Sequence, residues 1–109
     1  MAELDLTVDS IVYDLVLLLS HNRLDNYYSW IKVALCLKNI SPSLLPVFNE
    51  ISQISKKWTS TCCKKHWDRI PPYHYGSRLG IGSLRYWAKK DNPEGYKALM
   101  DAKFPPLFI

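Results

Sequence analysis

The 109-residue chain lacks the features that mark membrane-spanning and secreted proteins. Its longest apolar run, Leu15–Leu19, is far shorter than the roughly 20 residues that cross a bilayer. The acidic N-terminus has neither the basic start nor the apolar core of a signal peptide. Three cysteines (Cys36, Cys62 and Cys63) cannot all pair, which favours reduced thiols. We therefore predict an intracellular protein without a membrane partner.

Motifs for catalysis and metal binding are also missing. No CxxC pair accompanies Cys62, Cys63, His66 and His74, so structural zinc is not expected. No motif orients a thiolate beside a histidine, and no paired-carboxylate motif occurs. Residues 80–83, Gly-Ile-Gly-Ser, do not continue into the Gly-Lys-Ser/Thr of a P-loop. We predict no catalytic residue, no metal site and no cofactor within this chain.

Strong charge asymmetry is the most informative feature that the sequence does contain. Nine of the 14 Lys and Arg residues lie between Lys56 and Lys90 with a single acid, Asp68, so this segment carries a formal charge of +8. The rest of the chain has five bases against nine acids. Such polarisation is typical of surfaces that bind polyanions, nucleic acid above all. The alternative is a solvated face that keeps a small domain soluble.

Apolar residues recur at helical spacing, whereas no segment alternates as a strand does. The pattern predicts an all-α fold, a small single-domain bundle of about five to six short helices. The first four helices are expected at about residues 8–20, 27–39, 43–55 and 59–69, and the second, apolar nearly all round, should be central. Asp25 or Asn26 is the predicted N-cap of the second helix, and Ser43 that of the third. Ser83 and Asn92 are the predicted N-caps of two more helices, the last ending near residue 102.

Residues 20–23 are expected to break the first helix, and residues 71–82 to form a long connection. The single domain should cover residues 1–109, with its core at about 8–102. Residues 103–109 form an apolar tail or the start of a linker, which indicates a piece of a longer polypeptide.

Basic residues form ridges on two of the predicted helices. Lys65 and Arg69 are four residues apart, as are Arg85 and Lys89, and the apolar residues of both helices point elsewhere. Like charges at this spacing cost helix stability by a few tenths of a kcal/mol, so a purely structural surface would intersperse signs. The predicted DNA-binding residues are Lys56, Lys57, Lys64, Lys65, Arg69, Arg78, Arg85, Lys89 and Lys90.

The connection between the ridges offers two further candidates. Tyr73 and Tyr75 are candidates for stacking on unpaired bases, although either ring can instead close over the core. Gly80, Gly82 and Ser83 open a helix and form a candidate phosphate-binding turn, for which an ordinary capped turn is the alternative. The four tryptophans are interpreted as core residues.

Several short motifs follow one another in a familiar order. They are Tyr28-Ser-Trp-Ile-Lys-Val-Ala-Leu-Cys-Leu-Lys-Asn39, then Ile51-Ser52 and Trp58, then Cys63-Lys-Lys-His-Trp67, and Ile81-Gly-Ser-Leu-Arg-Tyr-Trp-Ala-Lys-Lys90. This order resembles the PriCT-2 (primase C-terminal 2) family over about residues 10–91. The chain departs from the family at Ala34, where glycine is common, and at Ile51, where tryptophan is common.

The resemblance implies a helical, noncatalytic accessory domain of a D5-like DNA primase–helicase from a large DNA virus, a phage or a plasmid. Such a domain is expected to bind single-stranded template DNA, and also nucleotide, and to assist primer synthesis during DNA replication. Its partners would be the neighbouring primase and superfamily 3 helicase domains of the same polypeptide, where ATP and Mg²⁺ would bind. A viral source would place it in the host cytoplasm or nucleus.

Two alternatives remain at this point. The chain can be an interaction or linker module between primase and helicase domains or subunits. It can also read duplex DNA as a helix-turn-helix, although the 71–82 connection is long and Asn or Gln is absent from both basic helices.

Overall fold

The structure is a computed structural model that describes residues 11–55, 57–59, 61–70 and 79–103. These residues form helices and connecting turns and contain no strand, which confirms the predicted all-α fold. No helix within them is long and apolar enough to cross a membrane. The helices are α1 (residues 11–16), α2 (His21–Asp25), α3 (Tyr27–Ile40), α4 (Leu45–Ser52), α5 (Cys62–Arg69), α6 (Ile81–Asp91) and α7 (Pro93–Lys103), with a 3-10 turn (Pro42–Leu44) before α4.

Helix α3 is the centre of the fold, as its sequence predicts. Asn26 caps it, because its side-chain oxygen accepts the backbone N–H groups of Tyr28 and Ser29 at 3.0 and 3.3 Å. Helices α2, α4, α5 and α6 all pack against α3. Its buried residues are Trp30, Val33, Ala34, Cys36 and Leu37.

Aromatic rings form the middle of the core. Phe48 of α4 is fully buried, and its ring centroid lies 5.0 Å from that of Trp30 and 5.5 Å from that of Trp67. Trp30 and Trp67 are therefore core residues, as predicted, whereas Trp58 and Trp87 are only half-buried.

The first described helix ends earlier than predicted. The predicted helix at residues 8–20 is helical only to residue 16 in the described part, and residues 17–19 form a turn. Ser20 does not end a helix but begins α2, since its hydroxyl accepts the backbone N–H of Arg23 at 3.2 Å. A side-chain cap thus starts a new helix where the sequence predicts a break.

Two predicted caps are shifted along the chain. Ser41, not Ser43, begins the 3-10 turn, because the Ser41 hydroxyl accepts the Ser43 N–H at 3.3 Å. Ser83 lies inside α6, where its hydroxyl accepts the N–H of the true N-cap, Gly80, at 3.3 Å. The predicted cap at Asn92 is confirmed, since its side-chain oxygen accepts the Gly95 N–H at 2.9 Å.

Asp91 joins the end of α6 to the start of α2. Its carboxylate accepts Arg23 Nε at 2.6 Å, Arg23 Nη2 at 2.9 Å and the Ser20 N–H at 3.0 Å. Burial would raise the pKa of Asp91, but the hydrogen bonds from Arg23 and Ser20 outweigh it and hold this pKa below its ordinary value. The contact fixes α6, one of the two basic helices, against the scaffold.

Candidate nucleic-acid interface

Helix α3 positions both basic helices by holding the two ends of the segment that joins them. Lys38 Nζ donates to the Ile70 carbonyl at 2.6 Å, directly after α5. Asn39 Nδ2 donates to the Leu79 carbonyl at 3.0 Å, just before α6. Because Lys38 and Asn39 are adjacent, the end of α5 and the start of α6 lie at the same end of α3.

The α5 ridge is exposed to solvent. Its buried stripe faces the core, so Lys65 and Arg69 lie on the outer side, and neither side chain pairs with another described residue. Lys64 forms an i,i+4 ion pair with Asp68 at 2.6 Å, in which both side chains are more than half exposed. Exposed pairs of this kind contribute little to stability, so Lys64 can exchange its partner for a phosphate at small cost.

The α6 ridge is only partly free. Lys89 and Lys90 are exposed and make no ion pair with the rest of the described chain. Arg85 is different, because its Nε donates to the Tyr96 hydroxyl of α7 at 3.2 Å. The helical spacing predicts that Arg85 continues the ridge, but the packing of α7 holds its guanidinium to one side.

The remaining predicted residues fall into two groups. Lys57 is exposed, and its Nζ donates to the Asp25 backbone carbonyl at 3.2 Å. The other four predictions, Lys56, Tyr73, Tyr75 and Arg78, lie outside the described residues.

The turn that opens α6 has the geometry of an ordinary capped helix start. The Gly80 N–H donates to the Ser83 hydroxyl. The Gly80 carbonyl accepts hydrogen bonds from the Leu84 N–H and from the Cys36 thiol, each at 3.0 Å. Gly82 is exposed, with open space where a Cβ would stand. Phosphate binding at Gly80, Gly82 and Ser83 stays a prediction.

Most bases outside the basic segment, residues 56–90, have a hydrogen-bond or ion-pair partner, in contrast to many of those within it. Four of those five have partners: Arg23 pairs with Asp91, Lys38 caps α5, Lys103 pairs with Asp14 at 3.3 Å, and Lys97 forms an exposed i,i+4 pair with Asp101 at 3.2 Å. The exception is the exposed Lys32. Unpaired cations therefore concentrate on α5 and α6, and we call this set the basic surface: Lys65, Arg69, Lys89 and Lys90.

Tyr86 is a candidate that the sequence-based prediction misses. Its side chain is 64% exposed on α6, three and four residues before Lys89 and Lys90. Residues at these spacings are neighbours on a helix surface. The signal was present in the sequence, because Leu84 and Ala88 point inward and so direct residue 86 outward. An exposed ring beside two cations suits stacking on an unpaired base.

Cys36 and Cys63 are poor nucleophiles. Burial raises the pKa of Cys36 to about 12 and that of Cys63 to about 11, so both are protonated thiols near neutral pH. Within the described ranges, no three His, Cys, Asp or Glu side chains are grouped as metal ligands.

Similarity to known proteins is clearest at the family level. The family model "Primase C terminal 2 (PriCT-2)" matches residues 12–88, more than half of the chain. "Putative helicase 121R" of Invertebrate iridescent virus 3 is 29% identical over 93 residues, which cover 81% of this chain and 10% of that protein. "Putative helicase L207/L206" of Acanthamoeba polyphaga mimivirus is 30% identical over 97 residues, covering 86% of this chain and 10% of that protein.

The chain thus spans about a tenth of the length of these two relatives. No solved structure is significantly similar to it.

Proposed function

Because the chain belongs to the PriCT-2 family, we propose that it is an accessory domain of a DNA primase–helicase that binds single-stranded template DNA during replication. The family inferred from the order of the motifs is thereby confirmed. Two viral relatives named as helicases, each about ten times as long as the matched region, support an accessory role within a larger replication protein. A viral replication protein of this kind would act inside the host cell.

The observation that carries the DNA proposal is the basic surface. Lys65 and Arg69 on α5 and Lys89 and Lys90 on α6 stand unpaired among the described residues, whereas most other described bases have a partner. Cations kept free at the surface gain most from a ligand that brings closely spaced negative charges. Phosphates of a nucleic-acid strand supply these charges without regard to base sequence.

Two features of α5 and α6 support a single strand, rather than a duplex, as the proposed ligand. The exposed ring of Tyr86 lies beside Lys89 and Lys90, and stacking needs a base whose face is not already covered. Neither α5 nor α6 carries the Asn or Gln side chains that commonly read adenine in the major groove.

The chemistry of replication belongs, on this proposal, to neighbouring domains of the same polypeptide. The raised pKa values of Cys36 and Cys63 leave no activated thiol at these two positions. Primer synthesis and ATP hydrolysis, with their ATP and Mg²⁺, would occur in the primase and helicase domains, and this domain would hold the template.

The proposal can be tested by fluorescence anisotropy with labelled single-stranded and duplex oligonucleotides. The wild-type chain should bind the single strand more tightly, and Lys65→Glu/Lys89→Glu should lose this binding. Lys32→Glu/Lys97→Glu is the matched control, because it makes the same change in net charge at exposed lysines outside the basic segment.

Equal loss in both variants would contradict a localised interface. If the wild-type chain binds neither strand at low salt, the domain does not contact DNA, and a linker between primase and helicase is the function that follows.

A further inference from the structure

A cavity of about 150 Å³ opens between α3, α5 and the residues that lead into α5. Four of its ten lining residues have aromatic rings: Tyr27 and Trp30 from α3, Trp58 from the connection before α5, and His66 from α5. None of the four cations of the basic surface lines it. The cavity is therefore a separate feature with its own chemistry.

The walls of the cavity are fixed before any ligand arrives. The indole N–H of Trp30 donates to the Ser52 hydroxyl at 2.8 Å, and that of Trp58 donates to the Asn49 side chain at 3.1 Å. The His66 ring meets the Trp30 ring edge-on, with 5.1 Å between centroids. Since these rings are already ordered, a flat ligand would enter without the entropic cost of immobilising them.

Charged residues of both signs lie at the cavity, because Asp25 and Lys57 both line it. Lys57 lines it, and its Nζ is held by the Asp25 backbone carbonyl at 3.2 Å. His66 also lines it, and Arg69 lies three residues further along α5, a spacing that makes the two surface neighbours. A strand whose phosphates follow the α5 ridge would pass next to the cavity.

We propose that this cavity holds one unpaired pyrimidine base of the bound strand, an inference that rests on the proposed function. A cavity of about 150 Å³ is known to accept one benzene-sized ring. A pyrimidine has a single six-membered ring of this size, whereas a purine adds a fused second ring. The aromatic walls and the neighbouring cations match the two parts of a nucleotide, its flat base and its phosphate.

The test compares three labelled 12-mers that share one backbone. One is all adenine, one has a single central thymine, and one has an abasic site at that place. The thymine strand should bind at least about 5-fold more tightly than the other two, the lower end of the range for stacking one base. Equal binding of all three would overturn the proposal while leaving the contact between the strand and the basic surface intact.

Two neighbouring tyrosines provide the variant and its control. Tyr27 lines the cavity and is 51% exposed, whereas Tyr28 is 76% exposed and does not line it. Tyr27→Ala should remove the preference for thymine, and Tyr28→Ala should keep it. Circular dichroism of both variants would show that the fold is retained. A preference that survives Tyr27→Ala, or that both variants lose alike, would count against the cavity as the site.

A titration with free nucleotides shows whether the cavity binds a base of the DNA strand or the base of a free nucleotide. Thymidine and deoxyadenosine monophosphates would be titrated while the fluorescence of the tryptophans is followed, since Trp30 and Trp58 line the cavity. Quenching by thymidine monophosphate together with equal binding of the three strands would assign the site to a free nucleotide and overturn its assignment to the strand. If no strand binds at all, the proposed function fails, and this titration still decides whether the cavity takes a pyrimidine.

Discussion

The four cations of the basic surface predict how steeply DNA binding depends on salt. Each phosphate neutralised on a single strand changes log K by about −0.7 per unit of log salt concentration. If Lys65, Arg69, Lys89 and Lys90 each meet one phosphate, the slope is about −2.8. Between 50 and 200 mM salt the affinity should then fall about 50-fold.

Removing two of these charges should halve the slope. Lys65→Gln/Arg69→Gln should give a slope of about −1.4 and a fall of only about 7-fold over the same range. The fold should tolerate both changes, because the side chains are exposed and unpaired among the described residues. The assay is fluorescence anisotropy of a labelled single-stranded 20-mer at four salt concentrations.

Lys32→Gln/Lys97→Gln is the matched control for this measurement, since it removes the same charge from exposed lysines elsewhere. Its slope should stay at about −2.8. An unchanged slope in Lys65→Gln/Arg69→Gln, or an equal decrease in the control, would refute the assignment of the phosphate contacts to this surface.

Three further predictions concern the scaffold that positions the basic helices, each measured by chemical denaturation. Lys38→Met should lower the free energy of unfolding by about 2 kcal/mol, because it removes hydrogen bonds from a charged donor to the carbonyls at the end of α5. Ser52→Ala should cost about 1–3 kcal/mol, since it leaves the buried indole N–H of Trp30 without its acceptor. Asp91→Asn should destabilise at neutral pH by about 1–3 kcal/mol by weakening the contact with Arg23. Because the folded pKa of Asp91 is depressed, this difference should persist down to its ordinary value of 3.8 and shrink as the pH falls further.

Each of these predictions has a result that would contradict it. An unfolding free energy that Lys38→Met leaves unchanged would show that α5 does not depend on this cap. A neutral effect of Ser52→Ala would mean that the Trp30 indole finds another acceptor. A difference between wild type and Asp91→Asn that grows as the pH falls below 3.8 would have the wrong sign for a depressed pKa.

Local signals in the sequence predict the central helix and two of the caps. Helix α3 is apolar on nearly all sides, and Asn26 and Asn92 cap helices as their positions indicate. These features depend on residues within one or two turns of each other, so they can be recognised without knowing the tertiary structure. The outward placement of Lys65 and Arg69 follows from the same local periodicity.

Features that depend on distant residues could not be predicted in this way. Ser20 is the N-cap of α2, and its N–H donates to Asp91, which lies 71 residues further along the chain. Arg85 has the spacing of a free ridge residue, but Tyr96 of α7 engages it. The cavity brings His66 beside Tyr27, with 5.8 Å between their centroids, although 38 residues separate them in sequence. Helical periodicity gives the face of a helix, whereas the packing of the bundle decides which faces meet.

The central claim, that α5 and α6 contact a single strand, is tested most directly by NMR. Amide shifts of the ¹⁵N-labelled chain would be followed as an unlabelled single-stranded 12-mer is added at low salt. The largest changes should fall on Cys62–Arg69 and Ile81–Asp91, with α1 and α4 little affected. Shifts confined to α1 and α4, or no shifts at all, would contradict the claim.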